Sequence, residues 1–339
     1  MMKMNHILRN TGLALLAAGA VLSCTKSADE GANVSAKRYL DAWRAIYYPS
    51  AVERNGVYVI EDKPGTGLEW NDNLSVTFLT YTVRNLDGTV QYNYDEDWAK
   101  QLGTWDRTYY YGPQIAITGE SVSYAGLDAV LDGMRQGGTR TAIVPSWMMT
   151  YDRYDTPDEY LEHETTISPA IYTITFLDQT ENLLEYELNQ MREYAYTRWG
   201  VRDTLSTAAV FFKSFSIFKE EPVEMPNDTT VYINYTGRRI SDNQVFDTTI
   251  ADTAKFYHIY NPAKSYSPVP VSWAENATEI KLNDYSVVKG FAYGLKAMHA
   301  DEKASFVFGY NLGYGSSASG NMIPAYAALR FDVELVPEP

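Results

Sequence analysis

The 339-residue chain predicts an α+β protein made of two copies of one domain joined by a long helix. Three observations point there. Short segments rich in Val, Ile, Thr and Tyr, separated by turn signals, alternate in the manner of strands. One set of landmarks recurs in the same order in both halves. A single long run of helical spacing lies between the two sets.

Composition narrows the function classes. The chain is 45% hydrophobic and 14% aromatic, which places it among folded proteins and excludes disordered or collagen-like structure. One cysteine and four scattered histidines (His6, His163, His258, His299) do not supply a zinc site, an iron–sulfur cluster or a disulfide framework. The formal net charge of −15 argues against nucleic acid as a partner, because phosphate binding rests on clustered Lys and Arg. No metal or organic cofactor is implied.

The N-terminal residues read as an address. Lys3 and Arg9 precede an apolar run from Thr11 to Leu22, shorter than the roughly 20 residues a membrane-spanning helix needs. Val21-Leu22-Ser23-Cys24 closes that run with the only cysteine. This ending resembles the lipobox of bacterial lipoproteins, which implies a signal peptide over 1–23 and acylation of Cys24. An ordinary cleaved secretory peptide is the other reading. Residues 24–35, small and polar with Asp29 and Glu30, read as a flexible tether.

From Ser35 to Tyr48 the apolar residues Tyr39, Leu40, Trp43, Ile46 and Tyr47 have helical spacing, and Pro49 ends the segment. Strand-type segments begin at Gly56, with turns at Pro64-Gly65 and Asp87-Gly88. Glu181–Trp199 returns to helical spacing through Leu184, Leu188, Met191, Ala195 and Trp199, with Gly200 placed to cap it. That helix marks the domain boundary. Strands are then predicted at Val210–Phe218 and Val231–Tyr235.

The internal repeat is specific. Phe78-Leu79-Thr80-Tyr81-Thr82 matches Tyr232-Ile233-Asn234-Tyr235-Thr236 in type. Gly126-Leu127 lies eight residues before Met134, and Gly290-Phe291 lies eight before Met298, each block reading as a short helix. Apolar strands follow at Thr141–Val144 and Phe306–Phe308. Both copies then place a proline seven residues before a phenylalanine, Pro169 to Phe176 and Pro324 to Phe331. The domains are accordingly drawn at 36–199, with flanking helices, and 200–339.

Five ordered motifs in the second copy carry a family resemblance: Tyr235-Thr236-Gly237-Arg238; Val245-Phe246-Asp247-Thr248-Thr249; Val287-Val288-Lys289-Gly290-Phe291 with Gly294-Leu295 and Met298; Leu312-Gly313-Tyr314-Gly315; and Ile323-Pro324 with Leu329–Leu335. Over about Val210 to Val336 the chain resembles the FKBP-type peptidyl-prolyl cis/trans isomerases. The resemblance implies a twisted antiparallel sheet wrapped around one short helix, at Phe291–Met298. It also implies a proline pocket lined by Tyr235, Phe246, Asp247, Val287, Val288, Phe291, Tyr314, Ile323 and Phe331. The implied partners are proline-containing polypeptides that are unfolded or still folding.

These residue types suit that chemistry. Rotation about an X–Pro bond breaks amide resonance but forms no bond to a nucleophile. The site therefore needs a dry aromatic box with a few polar contacts, and no Ser/His or Cys/His pair. Phe246, Phe291, Tyr314 and Phe331 can form the box, with Tyr235, Asp247 and Tyr314 as polar groups. The stretch between Phe256 and Val287 reads as an inserted loop beside the pocket, and Asp252 falls where many family members carry an arginine.

In the first copy, about Gly56 to Asp178, Tyr81 is kept. Val83 replaces the turn glycine, Gln91-Tyr92 stands for Phe-Asp, and Leu127 takes the floor position. This copy reads as a degenerate FKBP-like domain used for binding or spacing, in which Tyr124 and Thr150 or Tyr151 could still form a pocket. The acidic cluster Asp152, Asp155, Asp158, Glu159, Glu162 and Glu164 lacks EF-hand spacing and reads as a solvated surface. No phosphate loop, dinucleotide fingerprint or nucleophile elbow is present.

The sequence thus favours a lipid-anchored, two-domain isomerase of the bacterial envelope, on the outer membrane and facing the periplasm or the outside. The alternative is a catalytically inactive binding module, either a chaperone holdase or a surface lipoprotein that binds glycans or proteins.

Overall fold

The computed structural model describes residues 33–119, 122–163 and 167–339. The predicted signal peptide, Cys24, most of the tether and Glu164 lie outside the described residues. Among those described, no helix is long and apolar enough to cross a membrane.

Helix α1 (Val34–Tyr47) rests on the first sheet through a narrow contact. Leu40 is buried and Trp43 packs against the core, while Tyr39, Ile46 and Tyr47 stay exposed. The expected apolar stripe is therefore only partly covered. The helix is fastened instead by a polar link, the Tyr58 hydroxyl donating to Asp41 at 2.9 Å.

The first sheet contains β1 (Val52–Arg54), β2 (Val57–Lys63), β3 (Val76–Asn85), β4 (Val90–Asn93), β5 (Gln114–Ile117), β6 (Thr139–Val144) and β7 (Ala170–Thr180), with helices α2 (Glu96–Gln101) and α3 (Ala125–Leu131). Its order is β1-β2-β6-β7-β3-β4, and β5 also pairs with β3. Helix α4 (Leu183–Trp199) follows, capped by Gly200 at φ +71° as the sequence predicts.

The second sheet contains β8 (Val210–Ser214), β9 (Thr229–Arg239), β10 (Val245–Thr248), β11 (Val269–Trp273), β12 (Lys281–Leu282), β13 (Tyr285–Ser286), β14 (Lys303–Phe308) and β15 (Leu329–Val336). Helices α5 (Ala251–Phe256) and α6 (Lys289–Lys296) lie beside it. The path β2-β6-β7-β3 of the first sheet recurs as β8-β14-β15-β9, and β10 and β11 both pair with β9 as β4 and β5 pair with β3. All these pairings are antiparallel. The fold is α+β, with one strand path used twice.

The register corrects one landmark. Phe176 faces Leu79, two residues before Tyr81, whereas Phe331 faces Gly237, two residues after Tyr235. Tyr172, opposite Val83, is thus the counterpart of Phe331. Cross-strand partners fix equivalence here, and the matching proline-to-phenylalanine spacing is a coincidence of sequence.

The stretch between Phe256 and Val287 is also more than an inserted loop. Strand β11 pairs with β9 from Val269↔Ile233 to Trp273↔Thr229, and Val271 and Trp273 are core residues. Pro270 within so short a strand, and Pro268 just before it, mask the alternation. Strand β8 stops at Ser214, four residues before the expected end, while β9 runs longer than predicted at both ends.

Each short helix touches its sheet at backbone distance. A β-carbon on Gly290 would lie 2.1 Å from the Phe308 ring, and one on Gly294 would lie 2.4 Å from Phe306. In the first domain a β-carbon on Gly126 would lie 2.2 Å from Val144 Cγ1. Only glycine permits such contacts.

Helix α4 is wedged between the domains. Tyr186 packs on Phe78 of β3 with ring centroids 4.6 Å apart, while Met191 and Ala195 pack against Phe211, Val307 and Ala328 of the second domain. Leu183 and Glu187 are buried in place of the expected Leu184, which is 48% exposed, because the helix meets the two domains along different faces. Glu187 borders a 220 Å³ interdomain cavity, together with Tyr110 and Tyr326.

Burial pushes the Glu187 carboxyl up to about 7, against one opposing hydrogen bond from the Tyr310 N–H. A carboxyl with a raised folded-state value binds its proton more tightly when folded. Its stabilising contribution is therefore complete below about pH 4.5 and is lost as pH rises through about 7. Denaturant titrations between pH 4.5 and 8 should show this loss, on the order of 1–3 kcal/mol, and Glu187→Gln should flatten that part of the profile. An unchanged slope in the variant would assign it to other groups.

Candidate active site

The site is built on a bulge. In β10 the register shifts between Val245↔Arg238 and Asp247↔Gly237. Neighbouring residues of a regular strand point to opposite faces, but the bulge lets Phe246 and Asp247 both reach the Tyr235 side. The Phe246 ring lies 5.7 Å from Phe331 in an edge-on arrangement, and Asp247 Oδ2 accepts the Tyr235 hydroxyl proton at 2.6 Å. Gly237 makes room for this, since a β-carbon there would lie 2.6 Å from the Phe246 ring and 2.9 Å from Phe331.

Phe331 sits at the centre of the aromatic group. Phe291, on α6, meets it edge to face at 4.7 Å, and Tyr235 stands 6.1 Å away. Phe306 and Phe308 stack behind it at 6.2 and 5.8 Å. Ile323 is buried in the same cluster, and Val287 and Val288 pack against it at the entrance to α6. Tyr314 is exposed at the rim, close enough that its hydroxyl acts electrostatically on Tyr235. The structure thus brings together all nine residues that the resemblance implies, with Tyr314 at the edge.

The polar side of the site is closed by a residue the sequence did not point to. Lys264 forms an ion pair with Asp247. Asp252, at the position expected for a cation, is turned outward and, among the described residues, pairs only with Lys255 at 3.5 Å. Nothing in a sequence spacing marks Lys264, because its segment between α5 and β11 must fold back across the sheet to reach Asp247. Stacked Tyr260 and Tyr266 rings, 5.1 Å apart, brace that segment, and the Tyr266 hydroxyl accepts the Asn261 N–H at 2.9 Å. Asp247 Oδ1 also accepts the Thr248 N–H at 2.9 Å.

Asp247, partly exposed, is therefore paired with a cation and accepts from two donors. Burial first, and then the Asp247 charge, push the Tyr235 hydroxyl far above its ordinary value, so it remains a proton donor. The arrangement offers aromatic walls, ring edges carrying partial positive charge and a fixed dipole network. It holds no Ser/His or Cys/His pair among the described residues.

The first domain has the same frame with different contents. Val83, buried, stands at the strand position that Gly237 holds in the second domain. Gln91 is exposed and Tyr92, opposite Val83, takes the place of Asp247. Tyr81 instead packs on Tyr94 at 4.9 Å, Tyr94 on Tyr109 at 5.9 Å, and Tyr124 stacks on Tyr151 at 4.7 Å. Burial pushes the Tyr172 hydroxyl up to about 12, with Tyr124 and Tyr92 adding to the effect. Here a tyrosine-lined surface stands where the second domain has phenylalanines.

Residues 221–336 match the family model described as FKBP-type peptidyl-prolyl cis-trans isomerase. FK506-binding protein 2 of Candida glabrata is 29% identical over 128 residues, covering 36% of this chain and 77% of that protein. The macrophage infectivity potentiator of Trypanosoma cruzi is 28% identical over 109 residues, covering 32% of this chain and 43% of that protein. Among solved structures, FkpA from Escherichia coli aligns at 26% identity with a TM-score of 0.31, over 45% of this chain and 58% of that one. The family match thus falls within the second domain, over residues 221–336, and carries the bulge, the aromatic group and the Asp247–Lys264 pair.

Two substitutions test the local construction by denaturant unfolding. Gly237→Ala should cost about 1–3 kcal/mol, because its β-carbon displaces Phe246 and Phe331. Lys264→Met should cost less than about 1 kcal/mol, since the pair is about one third exposed. A neutral Gly237→Ala would show that the ring can move aside freely.

Proposed function

We propose that the C-terminal domain catalyses cis/trans isomerisation of X–Pro bonds in proteins folding in the cell envelope. The observation that carries the reading is the dry aromatic group around Phe331, with the Tyr235–Asp247–Lys264 network on one side. Isomerisation must cross about 18–20 kcal/mol because the planar amide loses resonance. In the twisted amide the carbonyl no longer conjugates with nitrogen. A pocket that seats the pyrrolidine ring on Phe331 and Phe291, and places ring edges and the Tyr314 hydroxyl at the rotating carbonyl, favours that state over both planar forms. Asp247, already paired, orients Tyr235. It transfers no proton.

The first domain, in this reading, binds polypeptide without turning it over. Val83 stands at the position of Gly237, and Tyr92 at that of Asp247, so the tyrosine surface carries no counterpart of the Asp247–Lys264 pair. The purely binding alternative for the whole chain is disfavoured by the completeness of the second pocket. Anchoring belongs to Cys24, and stable attachment requires more than one acyl chain. Slow uncatalysed isomerisation, tens of seconds or more, gives such an enzyme its use.

Activity of the full chain on a short X–Pro peptide tests the reading. Asp247→Asn and Phe246→Leu should each lower kcat/KM by about tenfold or more, with melting temperatures close to the parent. No acceleration by the parent protein would refute the isomerase. A rate unaltered by both substitutions together would assign turnover to a site outside this pocket.

The anchor is tested separately. Cys24→Ala should release the protein from membranes into the soluble fraction. Retention in the pellet after a carbonate wash would mean that Cys24 is not what holds it.

A further inference from the structure

Two loops border the proline pocket, and both are held from outside the isomerase domain. The first follows β14 and carries Tyr314 at its end. Its opening turn, Tyr310–Leu312, is fixed by Glu187 of helix α4, whose carboxylate oxygens accept the Tyr310 N–H at 3.1 and 3.2 Å. Gly309 is what allows this approach, since a β-carbon there would lie 2.3 Å from Glu187 Oε2. The turn then passes its order forward. Gly315 donates its N–H to the Tyr310 carbonyl at 2.9 Å, and Tyr326 donates to the Gly315 carbonyl at 2.9 Å.

The second loop carries Ile323. There the first domain supplies the contact directly, as the Tyr110 N–H donates to the Asn321 carbonyl at 2.8 Å. Arg239, on β9, stacks over the Tyr110 ring at 4.8 Å and donates to the Met322 carbonyl, tying the same loop to the same tyrosine. Glu187 and Tyr110 both lie outside residues 221–336, which match the isomerase family.

We propose that Glu187 is a positioning residue for the isomerase pocket, and that through it and Tyr110 the N-terminal half holds the Tyr314 and Ile323 loops in the geometry that binds proline. The catalytic domain is thereby completed by a part of the chain that contains none of its pocket. Glu187 is well placed for this because it is buried, and its only described hydrogen bond is to the loop. A buried carboxyl that binds its proton more readily than usual is the expected result of that enclosure. The inference rests on the isomerase reading for its effect on rate, but the clamp itself can be tested without it.

The test compares Glu187→Ala and Glu187→Gln in the full chain, by amide hydrogen exchange and by steady-state kinetics on an X–Pro peptide. Glutamine keeps a carbonyl oxygen to accept the Tyr310 N–H, whereas alanine does not. In Glu187→Ala, exchange within residues 309–315 should rise on the order of tenfold, with strand β6 unchanged. KM should rise by roughly threefold or more while kcat changes less. Glu187→Gln should restore both. Unchanged exchange at 309–315 in the alanine variant would overturn the clamp, and raised exchange with unaltered kinetics would overturn its role in positioning. If alanine loosens β6 as well, Gly309→Ala serves instead, since its β-carbon displaces the carboxylate without altering the helix, and the same two outcomes apply. Absence of any isomerase activity in the parent would refute the proposed function, leaving the exchange measurements to decide the clamp.

Discussion

Everything in each domain follows from how closely its short helix approaches its sheet. Gly290 and Gly294 put the backbone of α6 directly on the Phe308 and Phe306 rings, and Gly126 does the same against Val144 in the first domain. Closeness here is worth a great deal, because tight apolar contact gains both burial and dispersion. It also fixes where the side chains at the helix start can go. Phe291, one residue after Gly290, has only the concave side of the sheet to enter, where it meets Phe331.

The two domains share this constraint and diverge at one backbone position. With glycine at 237, the bulge in β10 can turn Phe246 over the strand and still leave Asp247 beside Tyr235. With valine at 83, the same place is filled by a branched side chain, and the neighbouring residues of β4 turn outward. A small change in volume on a central strand thus separates a phenylalanine pocket from a tyrosine surface. The strand order is untouched, since it depends on the apolar alternation and not on what lines the cavity.

Helix α4 gives the duplication a consequence beyond repetition. A connector that merely spaced two domains would be polar on most of its surface. This one buries Leu183, Glu187, Met191 and Ala195 and touches both sheets. Burying a carboxylate is costly unless it is bonded, and among the described residues the Glu187 carboxylate accepts only from a pocket loop. The energetic demand of one side chain links the joint between the domains to the rim of the site.

Sequence alone determined the local and periodic features of this protein. The strand segments, the cap at Gly200, the repeat of Tyr81 and Tyr235 and the five motifs of the second copy all depend on neighbours along the chain, or on spacings that survive in one dimension. Tertiary structure decided whatever depends on partners distant in sequence. The ion pair of Asp247 with Lys264, the equivalence of Phe331 with Tyr172, the strand hidden at Val269–Trp273 and the bond from Glu187 to Tyr310 each join segments whose contact is set by folding. Charge pairing and strand register act across space, so no spacing along the chain could have announced them.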